Sequence, residues 1–377
     1  MSKQTSPTLL TTLAVAASAA AISLSATAET RFWADSNGDT ASFNAVDSWD
    51  PAPADMSEVA SDTLALNKGV DKIAEVKDGD NVSVDTLYIG WGTNGVEGVE
   101  KSAEYDHGGR LDVKGGLLNV TGSFNLGGAF SDNASNVVNV TGGKIVASKL
   151  RTSNCQSNGG TKFETINVSG TGEFYINKVS GDEGAQLAIF SGGETHVNVT
   201  DGGTFSGNTD LRVGKSGKAE FNLDGGTFAL SKNDRHLYVG DGGTGTVNFR
   251  SGTATFNTLN ITQNGGSGTV NIEDGCTVDM GWSVNMGANA VLNINGGVLD
   301  TGISMVIANK SGGSSVINLN GGLLKTAEIV ARRSDGELNW NGGTLMREPN
   351  GWIGGNDVLP LSGGNPNQES PIKIQVG

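Results

Sequence analysis

The chain has 377 residues, of which 58 are glycine and seven proline, with 6% aromatic residues, an unusual mixture for a compact enzyme. The balance of 40 acidic against 25 basic residues gives a net charge of −15, and no basic cluster can track a phosphate backbone. Nucleic acid is excluded as a partner.

Residues 1–28 read as a secretory signal peptide. Lys3 is their one charge, LLTTLAVAASAAAISLSA is the apolar core, and Ala26-Thr27-Ala28 supplies an A-x-A cleavage site. The segment is rich in Ala, Ser and Thr, and no later stretch approaches the ~20 apolar residues that span a bilayer. The mature chain is therefore expected to be exported to the extracellular space, the cell surface or the periplasm, with no transmembrane segment.

Residues 29–80 are less regular and are predicted to be an N-terminal cap with the first strands. Trp33 and Trp49 bracket Phe43 and are expected to plug the first coil of the fold that follows. Asp35, Asn37 and Asp39 have the alternate spacing of a calcium loop. The match then fails, because Thr40 stands where such loops need glycine and Val46 where they need a bidentate Glu. A polar turn is the better reading, so no metal is expected.

From 81 to 348 the chain repeats. An apolar-polar-apolar triplet followed by glycine recurs at Asp112, Asn139, Asn167, Asn198, Asn222, Asn248, Asn271, Asn293, Asn318 and Asn339, in steps of 27, 28, 31, 24, 26, 23, 22, 25 and 21 residues. The residue on either side is apolar every time, from Leu111 and Val113 to Leu338 and Trp340. Such alternation predicts a strand with buried neighbours and an outward asparagine. A second strand is marked by Leu118, Ile145, Phe174, Phe205, Phe228, Phe256, Val278, Leu299, Leu324 and Leu345. A third is marked by phrases such as Leu211-Arg212-Val213 and Leu237-Tyr238-Val239.

Three short strands per repeat without helical periodicity predict an all-β protein. The expected fold is a right-handed parallel β-helix of about 10–11 three-stranded coils, the hand following the general preference of parallel crossovers. Asparagine at one register in every coil is expected to stack as an amide ladder.

The repeated N-x-x-G-G-x-L phrases, the leader and the entry segment RFWADSNGDTASFNAVDSWD resemble the autotransporter-associated β-strand repeat proteins, a group of bacterial exported β-helices. The resemblance covers roughly residues 31–348. It implies architecture rather than chemistry, because that group shares a scaffold and not an active site. Residues 349–377 lack the series of alternating ~10-residue strands of a translocator barrel and read as a tail or C-terminal cap, whose IKIQVG phrase is expected to pair with the last coil.

Catalytic signals are weak. Two residues after the ladder position, Asp224, Arg250 and Glu273 fall on successive repeats, and a solvated ion-pair column is favoured over a catalytic trio. His107, His196 and His236 lie at different registers. The glycines of GDGGTGTV (240–247) precede a strand rather than the helix that would hold a phosphate. Neither a catalytic residue nor a cofactor is assigned. Cys155 and Cys276 stand five repeats apart, or ~24 Å along the axis, so free thiols rather than a disulfide are expected.

The expected role is an exported, non-catalytic structural protein in adhesion, extracellular matrix or cell-envelope contact, with polysaccharide or other surface components as partners. The alternative is a polysaccharide-active lyase or glycoside hydrolase, or a glycan-binding module, using an outward strand face.

Overall fold

A computed structural model describes residues 28–34, 38–91, 108–128, 135–153, 162–178, 184–189, 191–308, 313–332 and 336–347, and the backbone of 361–363 and 373–376. The leader core, Asp35, Asn37, His107 and Cys155 lie outside these residues. The described chain is a parallel β-helix with no α-helix, its strands forming three parallel ladders that long shared strands join into one sheet.

The first of them carries the asparagine ladder. Its register runs without a gap from Ser42 through Glu75 and Asp112, then along every predicted asparagine to Asn339. The backbone of Lys373–Val376 then pairs in parallel with Gly336–Trp340, placing Gln375 opposite Asn339. Within the segment read as the cap with the first strands, Thr63–Leu66 and Ile73–Val76 stack on Thr86–Trp91 and Arg110–Val113.

Alternation gives the core. The apolar neighbours of the ladder positions are all buried except Trp340, which packs half-buried against the far end. One continuous cluster runs from Trp33 to Leu338. Phenylalanines stack through its middle, with ring centroids of Phe124, Phe174 and Phe205 separated by 5.4 and 5.5 Å. A single coil exposes both flanks of its strands, so burial of this order is reached by stacking.

Aromatic side chains pack together at the first described coil. Trp33 and Trp49 are buried and meet edge to face at 5.0 Å, and Phe43 meets Trp49 at the same distance. Thr30–Trp33 pairs in parallel with Thr63–Leu66, and Trp49–Asp50 turns back antiparallel beside it. This return strand covers the edge that the first coil would otherwise present. Buried Arg31 fixes the closure by donating to Asp62 at 2.6 Å and to the Pro51 carbonyl at 2.7 Å.

Glycine is needed where a neighbouring coil fills the space of a side chain. A Cβ on Gly127, whose φ is +75°, would lie 1.7 Å from Glu164 Oε1 in the next coil. Glu164 is fully buried at that corner and accepts from the Ser153 amide at 2.5 Å and the Thr195 hydroxyl at 3.2 Å.

Two register readings need correction. Ala254, not Phe256, stacks between Phe228 and Val278, and Phe256 pairs two residues further along the strand with Met280. In the charged column, a bulge sets Asp224 opposite Ser251 and leaves Arg250 out of the ladder register. The register is restored at Gly226 and Gly252, because Gly225 on the facing strand compensates for the extra residue at Arg250.

Candidate functional site

The ladder asparagines point outward and are half-buried by one another, apart from Asn222, which is buried. Each Nδ2 donates to the Oδ1 one coil earlier, at 2.7–3.0 Å, from Asn339 back to Asn139. Asn139 then donates to Asp112 at 2.7 Å, and Asp112 accepts both Arg110 Nε and Nη2 at 2.9 Å. All the amide dipoles point the same way, with their N–H ends toward Asp112. A carboxylate there suits both the acceptor the last amide needs and the positive end of the stack.

A second, shorter ladder runs on the exposed side of the same sheet. Asn341 donates to Asn320, Asn320 to Asn295 and Asn295 to Glu273 Oε1, each at 2.8 Å. Glu273 is thus the acceptor that ends an amide stack. Asp224 accepts from Ser251 at 2.7 Å, and Arg250 lies 4.0 Å from Glu220. The three charges expected to form a column are engaged in three different places.

A polar cluster that no sequence motif marks lies on the other side of the ladder. His196 sits between two carboxylates, Nε2 3.0 Å from Glu194 and Nδ1 3.5 Å from Glu220. Lys218 bonds Glu194 at 2.7 Å, and Asn248 donates to Glu220 at 2.8 Å. The Lys218 hydrogen bond holds the Glu194 carboxyl below its ordinary range, and the Glu194 bond raises Lys218 in return.

Glu194, Lys218, Thr244 and Ser267 stack in register along one wall of a groove of about 590 Å³. Its floor is a run of turns, 191–193, 216–217, 242–243 and 266, made of glycine and serine. Beneath it lies Asp241, 1% exposed, which accepts from Arg212, Lys215 (3.2 Å) and Asn264. Burial pushes the Asp241 carboxyl up, but the bonds from Arg212 and Asn264 and the charges of Arg212 and Lys215 outweigh it and bring it below its ordinary range. Arg212 also lies over the Tyr238 ring, 4.1 Å from its centroid.

Among the described residues no three His, Cys, Asp or Glu side chains converge as metal ligands. Asp39 is exposed and pairs with Lys72 at 3.3 Å. His236 donates its backbone amide to Asp210 and has its ring 6.0 Å from Tyr238, far in register from His196. Cys276 is a buried free thiol. No helix among the described residues is long and apolar enough to cross a membrane. Comparison with family models, curated proteins and solved structures finds no match to this chain.

Proposed function

We propose that this chain is an exported structural rod that works in adhesion, extracellular matrix or cell-envelope contact and carries out no catalysis. The observation that carries this reading is the unbroken one-directional amide ladder from Asn339 to Asp112 over a single continuous core. Such a stack makes a stiff element whose outer faces, rather than a cleft, meet a partner.

The charges beside the groove do not suit a proton-donating carboxylic acid at Glu194. A glycoside hydrolase needs a carboxylic acid whose pKa is raised so that it holds a proton. In the cluster beside the groove, Glu194 is shifted the opposite way by Lys218. The expected result is that acidic and neutral polysaccharides incubated with the protein yield no new reducing ends or unsaturated products, while surface fractionation and N-terminal sequencing find an exported chain beginning at Glu29. Turnover of any of these polysaccharides overturns the structural reading.

A second reading is favoured by the groove itself. Glu194, Lys218, Thr244 and Ser267 follow one another at the coil spacing of ~4.8 Å, and Ser191 and Ser216 add hydroxyls from the turns, a periodic polar wall suited to an extended chain of hydroxyl-bearing units. It assigns polysaccharide binding to this wall. Glycan-array binding that disappears in Glu194→Ala and Lys218→Ala supports it, and binding unchanged by both removes it.

A further inference from the structure

Four Asn-Gly pairs lie within the described residues: Asn264-Gly265, Asn295-Gly296, Asn320-Gly321 and Asn341-Gly342. This dipeptide can close on itself. The glycine nitrogen attacks the asparagine Cγ, a new N–Cγ bond forms and the Cγ–Nδ2 bond breaks. The nitrogen's proton leaves with the amide as ammonia. Water then opens the succinimide at either carbonyl to give aspartate or isoaspartate. The reaction needs water alone, a glycine nitrogen that can approach, and an asparagine side chain able to swing over it.

The fold denies both conditions to three of the pairs. Gly296, Gly321 and Gly342 donate their amides to Ile272, Ile294 and Leu319 of the preceding coil, at 3.3, 3.0 and 3.1 Å. Their asparagines form the exposed ladder that ends on Glu273, with 2.8 Å bonds throughout. Ring closure there must break a backbone bond and a ladder rung together.

Asn264-Gly265 stands in the turn between Thr244–Ile261 and Ser267–Ile272, where 264–267 are all exposed. Gly265 has φ +86° and nothing within 4 Å of where a Cβ would sit. The Asn264 side chain is held by its Nδ2 bond to Asp241. We propose that Asn264 is a site of spontaneous deamidation in the folded protein, protected far less than the same dipeptide in the ladder.

The modification acts on a defined neighbour. It replaces the donor that faces Asp241 with a carboxylate, setting two negative charges together over Arg212 and Lys215, in the turn beside Gly266 and Ser267 of the groove. An isoaspartate also inserts a methylene into that turn.

The test is peptide mapping by mass spectrometry, with fragmentation that separates aspartate from isoaspartate, after incubation of the native and the urea-unfolded protein at mildly alkaline pH. The native protein should convert Asn264 at least about tenfold faster than Asn295, Asn320 or Asn341, the factor set by the glycine backbone bond that those three must break in addition to a side-chain bond. Unfolded, all four should react alike. A native Asn264 no faster than the other three overturns the proposal, whatever the unfolded rates. Asn264→Gln, whose ring closure is disfavoured, should leave that peptide unmodified under the same conditions. Conversion reported there despite the substitution would also overturn the assignment.

Discussion

Asn139 donates to Asp112 across one coil spacing at 2.7 Å, and with that bond the amide ladder ends on a group that can only accept. A further asparagine in place of Asp112 would carry an Nδ2 pointing at Glu75, the next position in register. The aspartate instead turns its second oxygen to Arg110, so the stack closes on an ion pair.

Asp112→Leu removes the acceptor from both Asn139 and Arg110 and should cost roughly 1–3 kcal/mol. Asp112→Asn keeps an acceptor and loses the partly exposed ion pair, so about 1 kcal/mol or less is expected. Urea midpoints at unchanged slope measure both. Equal losses would mean that charge at the end of the stack, rather than acceptor capacity, is what stabilises it.

Asn293 and Ile294 are adjacent and face opposite ways. Asn293 donates to Asn271 and accepts from Asn318, both at 2.7 Å, while Ile294 is fully buried. Asn293→Ser should cost about 1 kcal/mol, the scale of a net hydrogen bond. Ile294→Asp puts an unpaired carboxylate in the core and should unfold several coils, seen as loss of protection in hydrogen exchange around 272–319. Comparable damage from the two would contradict the assignment of strand faces.

The ladder was legible because the rule that makes it is local: an asparagine between two apolar residues marks its own face and register wherever it stands. Bulges were not. The extra residue at Arg250, compensated by Gly225 on the facing strand, changes no pattern of residue types, and Phe256 is a stronger apolar signal than the small Ala254 that holds the stacking position. Asp241 was equally hidden, since it occupies a glycine turn and its partners lie 23 to 29 residues away in sequence. Stacking brings them together, and a spacing that drifts between repeats conceals which turns coincide. The second ladder was visible as residues, with Glu273, Asn295, Asn320 and Asn341 two positions past the main one, but an acidic residue in the column drew attention to charge instead of to its role as terminal acceptor.

Burial pushes the Cys276 thiol up to about 12. Because the folded value is raised, its contribution is fully present below the unfolded value near 9 and is lost as pH rises from there toward 12. The slope it adds is at most ~1.4 kcal/mol per pH unit. Native protein should resist iodoacetamide at neutral pH and react once unfolded, and Cys276→Ala should flatten the alkaline fall in stability. Rapid labelling of the native thiol would place it at the surface.

Asp241→Asn should destabilise the protein by roughly 1–3 kcal/mol, because the partly exposed Arg212 and Lys215 then face a neutral side chain and lose their charge-assisted hydrogen bonds. The folded Asp241 value is lowered, so its stabilisation is present above the unfolded carboxyl range and lost as pH falls through the folded value. The acid limb of a stability–pH curve should therefore be shallower in Asp241→Asn than in the parent. An unchanged limb would assign the acid sensitivity to other carboxylates.

Asn293 and Asn318 occupy the same position in adjacent coils, so removal of 293–317 joins Leu292 directly to Asn318 without altering the alternation of the strand. Asn318 then comes to rest on Asn271, Leu324 on Val278 and Ile329 on Val284, each contact replacing one between the same faces. Every coil touches its neighbours and no others, so the shortened chain should keep a β-rich circular dichroism spectrum and a cooperative transition, with a smaller urea slope in proportion to the surface removed. The bond that Asn318 gives to Asn293 at 2.7 Å should be remade to Asn271, leaving the ladder continuous. An unstructured product would show that coil 293–317 supplies something its neighbours cannot, and that the stack is not a sum of equivalent units.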